Sequence, residues 1–230
     1  MALYAISDLH LSFAISKPMG RFGENWVDHY KKIQTNWLSK INDDDTILIG
    51  GDISWAMKLK DSMEDLRFIH RLPGKKILIR GNHDYWWSSI TKLNSLFGDM
   101  FFIQNNFIPY NDYAICGSRG WICPGDDSFE KSDIAIYKRE KLRIELSLKS
   151  AKKSKYDKII FLIHFPPLND KFEKSEFMDL FEEYSVEKVI YGHLHGPFDK
   201  NKIYNWEENK IDYHLTSSDY INFSPIKILN

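Results

Sequence analysis

Five short apolar runs punctuate the chain: Leu3 to Ile6, Thr46 to Ile49, Lys76 to Ile79, Ile159 to Ile163 and Lys188 to Tyr191. Their length and richness in Ile and Leu predict strands buried on both faces. Between them the apolar positions recur at helical spacing. Trp26 to Ile41 carries Trp26, Tyr30, Ile33 and Trp37 on one face, and Ser62 to Leu72 repeats the pattern with Leu66, Ile69 and His70. Ser132 to Lys152 aligns Ile134, Tyr137, Lys141, Ile144, Leu148 and Ala151. Strand and helix alternate, as in βαβ construction. From Phe101 to Cys123 the pattern changes to strand, turn and strand, with turn material at Asn105-Asn106 and Tyr110-Asn111-Asp112. Lys202 to Leu229 adds short runs around Tyr204, Tyr213-His214-Leu215 and Ile226-Lys227-Ile228. These extra strands predict a second sheet, hence an α/β fold built as a two-sheet β-sandwich flanked by helices. No repeat, low-complexity tract or linker composition interrupts the chain, so residues 1–230 are expected to form a single domain.

Composition narrows the class. With 43% apolar and 27% charged residues the chain reads as globular. Its 31 basic and 32 acidic side chains leave a net charge of -1, no footprint for a long polyanion, which weighs against long nucleic acid as partner. Cys116 and Cys123 are the only cysteines, too few for a disulfide-dependent secreted scaffold. They read as free thiols in or near the core. The first residues lack a basic n-region, a long apolar h-region and a small-residue cleavage site, so the expected setting is cytoplasmic. No apolar run approaches the roughly 20 residues that span a bilayer.

The chemistry is concentrated at the strand ends. Asp8 and His10 follow the first run, Gly50-Gly51-Asp52 the second and Gly81-Asn82-His83-Asp84 the third. The fourth runs into His164 and the fifth into Gly192-His193-Leu194-His195. Ligands of open α/β sheets bind beyond the carboxyl ends of the strands, so five such ends should converge on one crevice. Asp8 and His10 stand two residues apart, where an extended chain points both side chains the same way. Imidazole, carboxylate and one amide, with no thiolate, suit Mn, Fe or Zn better than a structural Cys-zinc site.

Taken in order, these motifs resemble the calcineurin-like metallophosphoesterase superfamily, which implies a four-layer αββα fold. The stretch from Gly51-Asp52-Ile53-Ser54-Trp55 through Asn82-His83-Asp84-Tyr85-Trp86-Trp87 is similar to a bacterial group of predicted phosphohydrolases. The resemblance implies two divalent or mixed-valence metal ions (Mn, Fe or Zn) per chain. One would be held by Asp8, His10, Asp52 and His195, the other by Asp52, Asn82, His164 and His193, with Asp52 bridging. It further implies hydrolysis of a phosphate mono- or diester by attack of a metal-bridging hydroxide. His83 would stabilise the charge or protonate the leaving group, and Asp84 would orient His83. The Gly-Asp-x-Val-Asp-Arg-Gly motif of the protein-phosphatase branch is absent, and His83 stands where a lipid A pathway relative would carry arginine.

Outside the motifs, structural and functional roles compete. Trp86 and Trp87 are candidates for stacking on substrate, against core packing. Arg119, in Ser118-Arg119-Gly120-Trp121, is a candidate phosphate clamp, against an ordinary ion pair. His29 is a candidate cleft residue, in a segment next to the first motif. His70 and His214 read as structural. A nuclease would use the same metal centre but would want a basic groove. A non-catalytic binding scaffold would be expected to have lost ligands, and none of the seven is missing.

Overall fold

Alternation along the strands builds the layers. In the computed structural model, which describes residues 1–199 and 202–230, β1 (Leu3–Ile6) and β2 (Thr46–Ile49) are buried at every position and β3 (Lys75–Leu78) at all but its first residue. These three pair in parallel, and β4 (Met100–Phe102) extends the sheet beyond β3. Successive side chains point to opposite faces. Leu3, Ala5, Leu48 and Ile77 therefore enter an inner core, while Ile6, Ile47, Ile49 and Leu78 join an outer one. That outer core is covered by α1 (His29–Leu38), through Ile33 and Trp37, and by α2 (Leu59–His70), through Leu66 and Ile69. A short α3 (Ile90–Asn94) precedes β4.

The second sheet starts with the hairpin of β5 (Phe107–Tyr110) and β6 (Tyr113–Ser118). Next come α4 (Asp133–Lys153), β7 (Lys158–Ile163), α5 (Glu176–Glu183) and β8 (Val186–Tyr191). β9 (Trp206–Glu208) and β10 (Ile211–Leu215) complete it, in the order β5-β6-β7-β8-β10-β9. The last strand, β11 (Ile226–Leu229), returns to the first sheet and lies antiparallel to β1. Ile115, Ile160, Leu162 and Ile190 meet the first sheet in the inner core, whereas Phe161, Ile163 and Val189 pack outward against α4 and α5. The result is helix, sheet, sheet, helix, the expected two-sheet sandwich.

Four local expectations need correction. The helix expected from Trp26 begins only at His29, because Asp28 adopts a left-handed φ of 51° and breaks the run; Trp26 is buried instead against His10, His29, His195 and Phe223. The second helix starts three residues early, at Leu59 against the expected Ser62. The buried face of α4 includes Glu140 and Ser147, while Ile134 is exposed. The run around Tyr204 is not a strand, which begins at Trp206. Periodicity alone passes over α5, although Ser175 caps it by accepting from the Phe177 N–H, and Phe177 and Phe181 share its buried face.

Candidate metal centre

The five motif-bearing strands are neighbours: β1, β2 and β3 in one sheet, β7 and β8 in the other. Backbone bonds tie their terminal loops together. The N–H groups of Asp8 and His10 donate to the carbonyls of Gly51 and Asp52 at 2.9 Å, and Gly192 N–H donates to His164 at 3.1 Å. Asp8, His10, Asp52 and His193 all adopt positive φ, between 45° and 71°. Such conformations are costly for residues with a side chain and cluster at functional sites. Asp8 and His10 thus share a direction through this sharp turn and not through an extended strand end. Gly81 is required where it stands, since a Cβ there would lie 2.2 Å from the Asp52 backbone nitrogen.

The turns aim two groups of donor atoms at each other. Asp8, His10 and His195 form one, Asp52, His164 and His193 the other, and within each group the ligand-capable atoms lie within 4.8 Å. In the first, His10 Nε2 and His195 Nε2 face each other at 3.1 Å, and His195 Nε2 lies 3.4 Å from Asp8 Oδ1. In the second, Asn82 Oδ1 lies 2.7 Å from His164 Nε2 and 3.0 Å from His193 Nδ1. Asp52 spans the groups: its Oδ2 lies 3.9 Å from His10 Nε2 and 3.5 Å from His164 Nε2.

These residues fit a pair of cations. Asp8 Oδ1 is buried without a hydrogen-bond partner, and buried polar atoms of this kind call for an explanation such as an ion. His164 Nδ1 faces the Gly50 carbonyl at 2.9 Å, and His195 Nδ1 faces Asp219 Oδ1 at the same distance. Both rings can donate from Nδ1, which leaves Nε2 free to bind, the arrangement common among metal-ligating histidines.

Electrostatics divides the histidines. Burial pulls His10 and His193 down to about 3, so both are neutral donors. Burial opposes charge on His164 too, but Asp52, Asp8 and the Gly50 carbonyl push it up to about 9. Asp8 and Asp219 likewise carry His195 up to about 10. Against their own burial, Asp8 is held below the usual carboxylate range chiefly by His195, and Asp52 by His164 and His10. Metal binding at these rings would have to displace the protons that the neighbouring carboxylates favour on His164 and His195.

His83 sits at the edge of the cluster. Its N–H donates to Asp52 Oδ1 at 2.8 Å, its Nε2 lies 4.0 Å from Asp52 Oδ2, and its side chain is 36% exposed. Burial of the remainder lowers its pKa. Asp84 does not contact it by any hydrogen bond. Asp84 Oδ1 accepts from the backbone N–H of Ile53 and Ser54 and from Trp86 Nε1, while Oδ2 accepts from Gly81 N–H. Burial and the Asp52 charge raise this carboxyl to about 6. Asp84 therefore fastens the loop after β3 to the loop after β2, and the expected orientation of His83 is not what its geometry provides. Asp84→Ala strands four donors, so we expect a loss of about 3 kcal/mol. For a chain this size that lowers Tm by roughly 6 to 12 °C, measurable by calorimetry. An unchanged Tm with a lost rate would instead make Asp84 a chemical participant.

The other expected substrate contacts are engaged elsewhere. Trp86 is buried on Asp84, and Trp87 packs on Trp86 and Phe102 while donating to Gln104. His29 is buried, with Nε2 on the Leu9 carbonyl. The Arg119 guanidinium is held by buried Glu140 at 3.2 Å and lies over Trp121; only its carbonyl reaches the centre, accepting from His164 N–H.

Three residues not singled out from the sequence stand close to the cluster. Asp219 follows β10 just as the other motifs follow their strands, so extending the strand-end rule to that run would have found it. Trp55 stacks on His10 at 4.7 Å and lies 4.3 Å from His83. Lys17 Nζ sits 3.0 Å from the centre of the Trp55 ring, and its charge is felt at Asp52 and His83.

Known proteins resemble this chain in sequence or in fold. The Gene 66 protein of Mycobacterium phage L5 is 35% identical over 78 residues, which span 34% of this chain and only 37% of that relative. The phosphopantetheinyl hydrolase of Mycobacterium tuberculosis superposes with a TM-score of 0.57 at 15% identity, over 99% of this chain and 95% of the other. The protein TT1561 of Thermus thermophilus gives 0.60 at 14% identity, over 99% and 97%. At these identities the structural likeness establishes the fold. The sequence pattern of the calcineurin-like phosphoesterase family matches residues 1–197, the span that carries every motif converging here, and the chain belongs to that family.

Proposed function

We propose that this chain hydrolyses a phosphate mono- or diester with two metal ions. Asp8, His10 and His195 would hold one, Asn82, His164 and His193 the other, and Asp52 would hold both. The observation that carries this reading is the position of Asp52, whose single Oδ2 faces a nitrogen donor from each group. The all N and O donor set suits Mn, Fe or Zn. A pair of ions held there supplies Lewis-acid stabilisation of the phosphoryl oxygens and acidifies a water to serve as nucleophile near neutral pH.

The chain's own groups do the rest. Asp52 and the paired loops hold the donors in place. His83, partly exposed beside Asp52, would in its protonated form give a proton to the leaving oxygen and return to neutral imidazole, and in its neutral form would hydrogen-bond the charge that develops there. Lys17 adds a cation on the same side. Trp55 holds the rings of His10 and His83 between loops and limits their rotation. The two sheets share one inner core, so we read residues 1–230 as one domain. A cytoplasmic setting belongs to the same proposal, supported by two buried free thiols; none of the described helices is long and apolar enough to cross a membrane. The test is Mn²⁺-supplemented hydrolysis of p-nitrophenyl phosphate and bis-p-nitrophenyl phosphate. Turnover that is lost with a chelator and restored by metal supports the reading, and metal-independent turnover contradicts it.

Asp219 would position His195 for this role. Removing such an outer partner commonly costs about 10- to 100-fold in metal affinity. Asp219→Ala should therefore weaken binding of one ion by that factor in a metal titration, and Asp219→Asn, which retains an acceptor oxygen, should restore part of it. Equal titrations for Asp219→Ala and the parent would show that His195 needs no support.

A further inference from the structure

Beside the donor cluster lies a cavity of about 280 Å³, between the loop after β7 and the loop after β8. His193 and His195, one from each donor group, form part of its wall, so the cavity adjoins the centre directly. The rest of the wall is largely apolar. Phe165 lies against the His193 ring at 4.0 Å, Trp206 and Tyr191 form an edge-to-face pair, and Phe198 packs edge-on to Tyr204.

The polar groups in this wall are largely satisfied within it. Asp126 accepts from the N–H and hydroxyl of Ser128 and from Asp170 N–H. Asn169 donates to the Pro124 carbonyl and to Glu173, and its oxygen accepts from Lys171 and Glu173 N–H. The same Asn169 ties down the loop that presents Phe172. This residue stands at φ 62°, a conformation that bulky L residues rarely adopt, and its side chain is 47% exposed at the cavity. Phe172 therefore offers a large apolar ring to the cavity from a fixed backbone position.

We infer that this cavity takes the organic group of the ester, and that this group is a planar apolar ring system. The inference rests on the phosphoesterase reading and adds the substrate class to it. Aromatic walls favour a flat ring, which they meet edge-to-face or in offset stacks. The volume lies just below the usual range of small-molecule sites, a size suited to one or two rings. Among the described residues Lys202 is the lysine in the cavity wall, and its Nζ lies 5.5 Å from the Phe172 ring centre.

The test compares two non-hydrolysable ligands, naphthylmethylphosphonate and methylphosphonate, binding to the Mn²⁺-loaded full chain by calorimetry. The naphthyl compound is expected to bind at least about tenfold tighter, a gain of about 1.4 kcal/mol. Phe172→Ala and Phe198→Ala should each bring the ratio toward one. Phe172 is exposed and on a loop, so the first variant does not put folding at stake. Equal affinity, binding of neither compound, or a ratio unchanged in both variants overturns the inference. Hydrolysis of naphthyl and methyl phosphates is measured on the same samples. A binding preference without turnover leaves the ring pocket standing and removes the catalytic reading, whereas turnover without a preference does the reverse.

Discussion

Asp52→Asn should bring hydrolysis close to background while the fold survives. Its Oδ2 faces donors of both groups, so the substitution weakens two ions at once, whereas any other ligand change weakens one. Loss of even an outer partner costs about 10- to 100-fold per ion, so the combined loss is expected on the order of 10²- to 10⁴-fold. Asn retains an oxygen that can accept the His83 N–H now held by Asp52 Oδ1, which keeps the loop in place. The measurements are metal content, near-UV circular dichroism and turnover on one preparation. Full metal content with full rate would sink the bridging assignment.

His83→Ala should leave metal content intact and lower kcat by about 10²- to 10⁴-fold on esters with poor leaving groups. The loss should be smaller for p-nitrophenyl esters, whose leaving group departs without a proton. The pH dependence has a definite sign. Burial holds the His83 pKa below 6.5, so its protonated form accumulates only on the acid side of that value. The ratio of parent to variant rates on a poor leaving group should therefore grow as pH falls through and below 6.5. A ratio that is flat with pH would leave His83 as a hydrogen-bond donor only, and loss of metal would make it a ligand.

The sequence shows the sheet interior best, because β1 and β2 are buried on both faces and their apolar runs coincide with the strands. Local backbone breaks are what periodicity cannot show. The helix from Trp26 fails at Asp28, whose left-handed φ leaves Trp26 free to pack on His10 and His195. The motif residues were legible because they follow strands in polar clusters. Their partners were not, since Asp219 follows a half-buried strand and Lys17 belongs to an irregular loop. The internal partners of Trp86, Arg119, His29 and Asp84 were not legible either. Each side chain finds an internal partner, respectively Asp84, Glu140, the Leu9 carbonyl and a set of backbone N–H groups, and such long-range pairings leave no local trace in the chain.

The most direct test of the proposed two-metal centre is elemental analysis of the chain after loading with Mn²⁺, Fe²⁺ or Zn²⁺ and removal of excess ion. Loading is best done on the alkaline side of neutral, since His164 and His195, raised to about 9 and about 10, would have to give up protons to bind. About two ions per chain are expected, falling with Asp52→Asn. A chain that retains no ion after loading with any of the three metals would contradict a two-metal centre.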